Sequence, residues 1–121
     1  MIRKILVVED SEVEGLYIKG LLKRIDNVEE TVVRTHEEAL ELCKENSYAL
    51  ILIDNLIPYG EPEALLESIH KTKPNTYTNA IVLGSASDFS DDKYLEKTGF
   101  VNYIEKPIQY NMLRAAVSMY A

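Results

Sequence analysis

Three short runs of almost uninterrupted apolar residues constrain the fold of this chain more than any other feature. They cover residues 5–8, 50–53 and 81–83. Runs of this length are typical of strands buried on both faces, as in a parallel sheet with helices packed on each side. Residues 31–34 and 101–104 mix polar and apolar side chains, which predicts two edge strands of the same sheet.

Helical patterns fill the intervals between the predicted strands. The first predicted helix carries a stripe at three- and four-residue spacing that we expect to be buried: Val13, Leu16, Tyr17, Gly20 and Leu21. Ser11 with Glu14, and Thr35 with Glu38, match the capping-box signature at the starts of the first and second helices. Pro62 suits the first turn of a third helix.

The fourth and fifth helices are predicted over residues 88–97 and over a stripe that runs from Met112 to Tyr120. Five strands then alternate with five helices, which predicts right-handed crossovers and a doubly wound α/β sheet. Since the first, third and fourth strands are the most apolar, the expected strand order is 2-1-3-4-5, the flavodoxin-like (βα)5 arrangement. We expect residues 1–121 to form one domain.

Charge and cysteine content narrow the possible functions. The formal net charge of −7 predicts that this domain does not bind nucleic acid directly. Cys43 is the only cysteine and lies on an apolar helical stripe, so it is expected in the core of a cytoplasmic protein. The apolar run after Arg3 and Lys4 is too short for a signal peptide or a membrane span. His36 and His70, at predicted helix ends, are expected to be solvated.

Polar and charged side chains follow the predicted strands at the point where each strand ends. They are Glu9 and Asp10, Asp54, Ser85 and Lys106. In doubly wound sheets, ligands bind outside the carboxyl ends of the strands, where the strand order reverses. Carboxylates gathered there repel one another unless a cation lies among them, and Mg²⁺ is the hard cation that oxygen ligands favour.

This set of side chains is suited to phosphoryl transfer. A carboxylate can act as a nucleophile that forms an aspartyl phosphate, and the central position of Asp54 assigns it that role. Lys106 supplies a positive charge, and the Ser85 hydroxyl can donate a hydrogen bond to a phosphoryl oxygen. Mg²⁺ would neutralise charge as the phosphoryl group transfers.

The order of these motifs resembles that of response-regulator receiver domains of two-component signalling. The resemblance rests on Glu9-Asp10, Asp54 followed by Pro58, Ser85-Ala86, and Tyr103 ahead of Lys106-Pro107. It implies that Asp54 accepts a phosphoryl group, with Mg²⁺, from the phosphohistidine of a sensor histidine kinase or a phosphotransfer protein. The domain would then change conformation and regulate a partner or an output domain, catalysing its own phosphorylation and dephosphorylation without being an enzyme for another substrate.

The resemblance also implies a ligand set for the metal. Asp10, Asp54 and the backbone carbonyl of Leu56 would bind Mg²⁺ directly, while Glu9 would act through an ordered water. Family members that lose the phosphoryl group quickly hold the attacking water with polar side chains two residues past the acceptor and two past the switch hydroxyl. Those positions are Leu56 and Ser87 here, which predicts slow autodephosphorylation.

Switching residues are implied in the same way. Ser85 would be the switch hydroxyl and Tyr103 the aromatic side chain whose rotamer follows the phosphorylation state. A cis peptide bond would join Lys106 to Pro107. The output surface would be the fourth helix, fifth strand and fifth helix, including Asn102 and Met112, and this surface is also a possible homodimer face.

Two other functions remain open on the sequence. A haloacid-dehalogenase-like phosphatase also uses an aspartyl nucleophile beside Mg²⁺, but that family has two aspartates flanking one residue, where this chain has Asp10-Ser11-Glu12. A pseudo-receiver would keep the fold as an interaction module without phosphorylation. A dinucleotide-binding domain lacks support, because the first strand is not followed by a glycine-rich turn. Whether the chain acts alone or within a longer protein stays open.

Overall fold

The computed structural model describes residues 1–56 and 60–121, in which a parallel sheet runs in the order β2-β1-β3-β4-β5. Its strands are β1 (Arg3–Val8), β2 (Val28–Val33), β3 (Leu50–Asp54), β4 (Asn79–Gly84) and β5 (Asn102–Glu105). All four neighbouring pairs are parallel, so the predicted α/β fold and strand order are confirmed. Pro58 of the sequence motif lies outside the described residues.

Helices cover both faces of the sheet. They are α1 (Glu12–Leu22), α2 (His36–Glu45), α3 (Pro62–His70), α4 (Tyr94–Thr98) and α5 (Tyr110–Tyr120). Ser11 and Thr35 cap α1 and α2 by accepting hydrogen bonds from the backbone N–H groups of Glu14 and Glu38, which is half of each predicted capping box. Among the described residues, no helix is both long enough and apolar enough to cross a membrane.

The predicted buried stripe of α1 is wrong except at Leu21. Gly15, Ile18, Leu21 and Leu22 face the sheet, whereas Val13, Leu16 and Tyr17 are 77%, 63% and 50% exposed. Both sets of residues fit the helical period, so spacing alone does not choose between them. Gly15 determines how α1 is rotated about its own axis, because a Cβ at this position would already lie 3.2 Å from Cγ1 of Val32 in β2.

The predicted fourth helix is interrupted. Ala86–Phe89 form a 3₁₀ turn, and α4 begins only at Tyr94. Between them, Oδ1 of Asp91 accepts a hydrogen bond from the N–H of Lys93, and Oδ2 of Asp91 pairs with Lys97 at 2.7 Å. An aspartate that bonds its own backbone in this way favours a turn over a continuous helix.

Two apolar layers enclose the sheet. One layer packs α2 and α3 on one face and contains Cys43, which is fully buried as expected. The other layer packs α1 and α5 on the opposite face. Because both layers hold the strands tightly, the carboxyl ends of β1, β3 and β5 are fixed relative to one another.

Neither histidine is simply solvated. Nε2 of His70 lies 2.9 Å from the carbonyl oxygen of Thr78. Nε2 of His36 is buried without a hydrogen-bond partner among the described residues, and burial lowers the pKa of His36. The expectation failed because each helix end is covered by a neighbouring segment, which the local sequence does not reveal.

Candidate functional site

Three of the predicted site residues meet at the carboxyl edge of the sheet. Asp54 ends β3 and is 3% exposed, Glu9 follows β1 and is 1% exposed, and Lys106 follows β5. The Lys106 Nζ lies 2.5 Å from Oδ1 of Asp54 and 3.3 Å from Oε2 of Glu9. An ammonium thus compensates two buried carboxylates at the point where the strand order reverses.

A further carboxylate, Glu14, joins this cluster. Its Oε1 lies 3.0 Å from Nζ of Lys106, so it does not complete the predicted capping box. The N–H of Ser11, which that box would have satisfied, donates instead to Oε1 of Glu9 at 3.1 Å. Sequence reasoning missed the role of Glu14 because its signature also fits a helix cap; its place in the first turn after Asp10 was the available signal.

The charges of these groups depend on one another. Burial alone would lower the pKa of Lys106, but close contact with the carboxylates of Asp54 and Glu14, together with the charge of Glu9, raises it above its ordinary value. Lys106 therefore stays a cation at neutral pH. Burial also raises the pKa of Glu9, and the hydrogen bond from Ser11 opposes this shift.

The two oxygens of Asp54 have different surroundings. Oδ2 accepts a hydrogen bond of 3.1 Å from the N–H of Leu56, which orients the carboxylate. Oδ1 is buried and pairs with the Lys106 ammonium at 2.5 Å. A carboxylate oxygen paired with an ammonium in this way can exchange that partner for another cation or for an electrophile.

The donor chemistry fits a hard divalent cation, although the ligands are not preassembled. Within residues 1–56 and 60–121, no group of three or more His, Cys, Asp or Glu side chains is placed to hold a metal ion. Asp10 is partly buried, and its backbone carbonyl accepts a hydrogen bond of 3.2 Å from Nε of Arg34. Mg²⁺ keeps several waters and needs only one or two carboxylates, so the carboxylates of Asp10 and Asp54 suit it.

Ser85 makes its side-chain hydrogen bonds within its own turn. Its hydroxyl donates to Oδ2 of Asp88 at 3.0 Å, and its N–H donates to the same oxygen at 2.8 Å. The Ser87 hydroxyl lies 3.2 Å from the Ser85 hydroxyl. The predicted switch hydroxyl is therefore hydrogen-bonded to its own turn, and among the described residues it makes no hydrogen bond to Asp54.

The remaining predicted residues surround this site. Tyr103 is half-buried and stacks on Phe89, with ring centroids 4.4 Å apart. Leu56 is 74% exposed, and Ser87 is also exposed. The Lys106–Pro107 peptide bond is cis.

Comparisons with known proteins agree on one family. The model of the response regulator receiver domain matches residues 5–118. The transcriptional regulatory protein MalR of Bacillus subtilis is 28% identical over 117 residues, covering 96% of this chain and 49% of that protein. The chain thus spans about half the length of this curated relative.

Solved structures give the same result. The receiver domain of the Francisella response regulator 1452 is 28% identical, with a TM-score of 0.82 over 98% of this chain and 95% of that one. The receiver domain of the sensor histidine kinase PA1611 from Pseudomonas aeruginosa, solved with magnesium in its active-site cleft, has a TM-score of 0.85. It is 20% identical and covers 99% of this chain and 98% of that one.

Proposed function

Because this chain belongs to the response regulator receiver domain family of two-component signalling, we propose that Asp54 accepts a phosphoryl group from the phosphohistidine of a sensor histidine kinase or phosphotransfer protein. The observation that carries the proposal is the Asp54 carboxylate, which is buried, oriented by Leu56 and paired with Lys106. Family membership favours this reading over a haloacid-dehalogenase-like phosphatase, and the intact set of acid, hydroxyl and ammonium groups favours it over a pseudo-receiver.

In the proposed reaction, a carboxylate oxygen of Asp54 attacks phosphorus as the phosphorus–nitrogen bond of the donor breaks. The electron pair of that bond stays on the imidazole, and an acyl phosphate forms on Asp54. Lys106 moves from the carboxylate oxygen to a phosphoryl oxygen, so the ammonium keeps an anionic partner throughout. The hydrogen bond from Leu56 holds the carboxylate in position for attack.

Mg²⁺ fits this scheme as the cofactor. Asp10, Asp54 and the backbone carbonyl of Leu56 would hold it directly, and Glu9 would contact it through water. When bound, it supplies positive charge that draws the phosphoryl oxygens toward the acceptor carboxylate. Magnesium in the cleft of the PA1611 receiver domain supports this assignment.

The proposed output follows from the surroundings of Ser85 and Tyr103. Ser85 would turn toward the phosphoryl group and Tyr103 would change rotamer, altering the surface formed by α4, β5 and α5. Met112 is 59% exposed and Asn102 is partly buried on that surface, which would contact an output domain, a partner or a second copy. We propose that residues 1–121 act as one cytoplasmic domain, as a self-phosphorylating switch that does not bind nucleic acid itself.

Intact-mass spectrometry with acetyl phosphate tests the proposal. With Mg²⁺ the wild type should gain one phosphoryl group, and without Mg²⁺ the gain should fall sharply. Asp54→Asn should gain none, while the matched variant Asp26→Asn, at an exposed loop position, should behave as the wild type. Equal labelling of Asp54→Asn would show that the acceptor is another residue.

A further inference from the structure

The hydroxyl of Ser85 is occupied by a carboxylate of its own turn. Oδ2 of Asp88 accepts both the Ser85 hydroxyl, at 3.0 Å, and the Ser85 N–H, at 2.8 Å. The N–H of Asp88 in turn donates to the carbonyl oxygen of Ser85 at 3.0 Å. Hydrogen bonds to an ionised carboxylate are stronger than those between neutral groups, so this arrangement favours a Ser85 hydroxyl that stays bonded to Asp88.

The preceding residue makes room for this arrangement. A Cβ at Gly84 would lie 2.6 Å from Oδ2 of Asp88 and 3.0 Å from Cζ of Phe89. Any side chain at position 84 would therefore displace the carboxylate that holds Ser85. The last residue of β4 and the first turn after it are thus built around the Asp88 carboxylate.

We propose that Asp88 is a latch that competes with the phosphoryl group for the Ser85 hydroxyl. This inference rests on the proposed function of Asp54. A serine hydroxyl has one hydrogen and donates it to one acceptor at a time. Contact between Ser85 and a phosphoryl oxygen therefore requires the hydroxyl to leave Asp88. The unphosphorylated state is stabilised by the free energy of the hydrogen bond between Ser85 and Asp88, which is lost in that move.

The same turn connects the latch to the aromatic residues. Phe89 directly follows Asp88, stacks on Tyr103 and contacts Tyr94 edge-on with ring centroids 5.2 Å apart. Movement of Ser85 away from Asp88 changes the turn that carries Phe89, and so changes the surface on which Tyr103 packs. Asp88 is therefore a positioning residue that sets how readily phosphorylation reaches the proposed output surface.

Binding of beryllofluoride, a phosphoryl mimic, in the presence of Mg²⁺ tests the latch in a double-mutant cycle. Asp88→Ala should bind the mimic about tenfold more tightly than the wild type, because a charge-assisted hydrogen bond no longer opposes the move of Ser85. In a Ser85→Ala background the same change at Asp88 should have no effect. Chemical-shift titration measures all four affinities and shows that each variant is folded.

Two further variants separate the latch from other effects. Asp92→Ala removes an equal charge from the same segment, and Asp92 makes no ion pair or side-chain hydrogen bond with the described residues. The affinity of this variant for beryllofluoride should therefore equal that of the wild type. Asp88→Asn keeps a neutral acceptor oxygen in the turn. It should show a smaller gain in the same direction, and it serves where Asp88→Ala does not fold.

The outcomes distinguish the latch from the proposed function. A wild type that binds the mimic, with unchanged or weaker binding by Asp88→Ala and Asp88→Asn, overturns the latch alone. An equal gain in the Ser85→Ala background, or in Asp92→Ala, shows a general charge effect and also overturns it. Failure of the wild type and every variant to bind the mimic overturns the proposed function and the latch with it.

Discussion

The ammonium nitrogen of Lys106 lies 2.5 Å from Oδ1 of Asp54, so the residue after β5 is paired across the sheet edge with the last residue of β3. The Lys106 side chain is 21% exposed and that of Asp54 is 4% exposed. Solvent therefore screens this pair far less than a surface ion pair. The pair places a fixed positive charge where a transferred phosphoryl group would develop negative charge.

Lys106→Met should slow phosphorylation of Asp54 by acetyl phosphate about 100-fold, because a preorganised positive charge beside the transferring group is lost. The rate of phosphoryl gain in Mg²⁺, followed by intact mass, measures the effect. Lys44→Met is the matched control, since Lys44 pairs with Glu41 on the exposed face of α2. A Lys106→Met rate within threefold of the Lys44→Met rate would remove Lys106 from the mechanism.

Glu14→Gln should speed the same reaction about two- to threefold, because the ammonium of Lys106 loses a competing carboxylate that is half exposed and hence only weakly attractive. Glu12→Gln is the control, since it removes an equal charge from an exposed position of α1. The two variants have the same net charge, so only a contact effect separates them. Slower phosphorylation in Glu14→Gln than in Glu12→Gln would instead show that Glu14 holds Lys106 in its productive position.

Leu56 is expected to set the lifetime of the phosphoryl group. Its N–H contacts the acceptor carboxylate, while its side chain has no polar atom to hold an attacking water. Leu56→Asn should lose phosphate about tenfold faster than the wild type, because an amide can position that water. Phosphate release in Mg²⁺ without a phosphatase measures this, and Leu56→Ala separates lost shielding from water binding. Loss of phosphate from Leu56→Asn at the wild-type rate or more slowly would show that Leu56 does not protect the phosphoryl group.

His36 should make the fold less stable in mild acid. Burial lowers the pKa of His36 in the folded protein, whereas the unfolded chain takes up the proton near the ordinary value of about 6.5. Below that pH the unfolded state binds more protons than the folded state. The free energy of unfolding is therefore not reduced by His36 above pH 6.5, and it decreases as the pH falls below this value.

Urea denaturation at pH 7.5 and pH 5.5 measures this change in stability. In His36→Gln the free energy of unfolding should differ less between the two pH values than in the wild type, because glutamine does not titrate. His70→Gln is the matched control, since it removes the other histidine, whose Nε2 lies 2.9 Å from the carbonyl oxygen of Thr78. If the free energy of unfolding depends on pH identically in the wild type and in His36→Gln, groups other than His36 cause that dependence.

Much of the fold was predictable because β-strands buried on both faces leave continuous apolar runs in the sequence. The carboxyl ends of two such strands, together with that of the edge strand β5, then identified Glu9, Asp54 and Lys106 as neighbours. The face of α1 was not predictable, since two apolar stripes fit its period and the choice depends on how closely Gly15 approaches β2.

Contacts between distant segments were equally invisible in the sequence. Asn75 is fully buried and ties its own turn to the end of α2 and the loop after it: its Oδ1 accepts from the N–H of Tyr48, and its Nδ2 donates to the carbonyls of Cys43 and Asn46. An asparagine beside a proline reads locally as a turn residue. The bond between Ser85 and Asp88 is local, but its consequence appears only when the position of Asp54 is known.

The most direct test of the central claim is to find the phosphorylated residue itself. Borohydride reduces an acyl phosphate to an alcohol, which converts a phosphorylated aspartate into homoserine. After incubation with acetyl phosphate and Mg²⁺, peptide mapping of the reduced wild type should find homoserine at position 54, and only when the donor and Mg²⁺ were both present. Homoserine at Asp10 or another position, or phosphoryl gain without homoserine at position 54, would contradict the assignment of Asp54 as the acceptor.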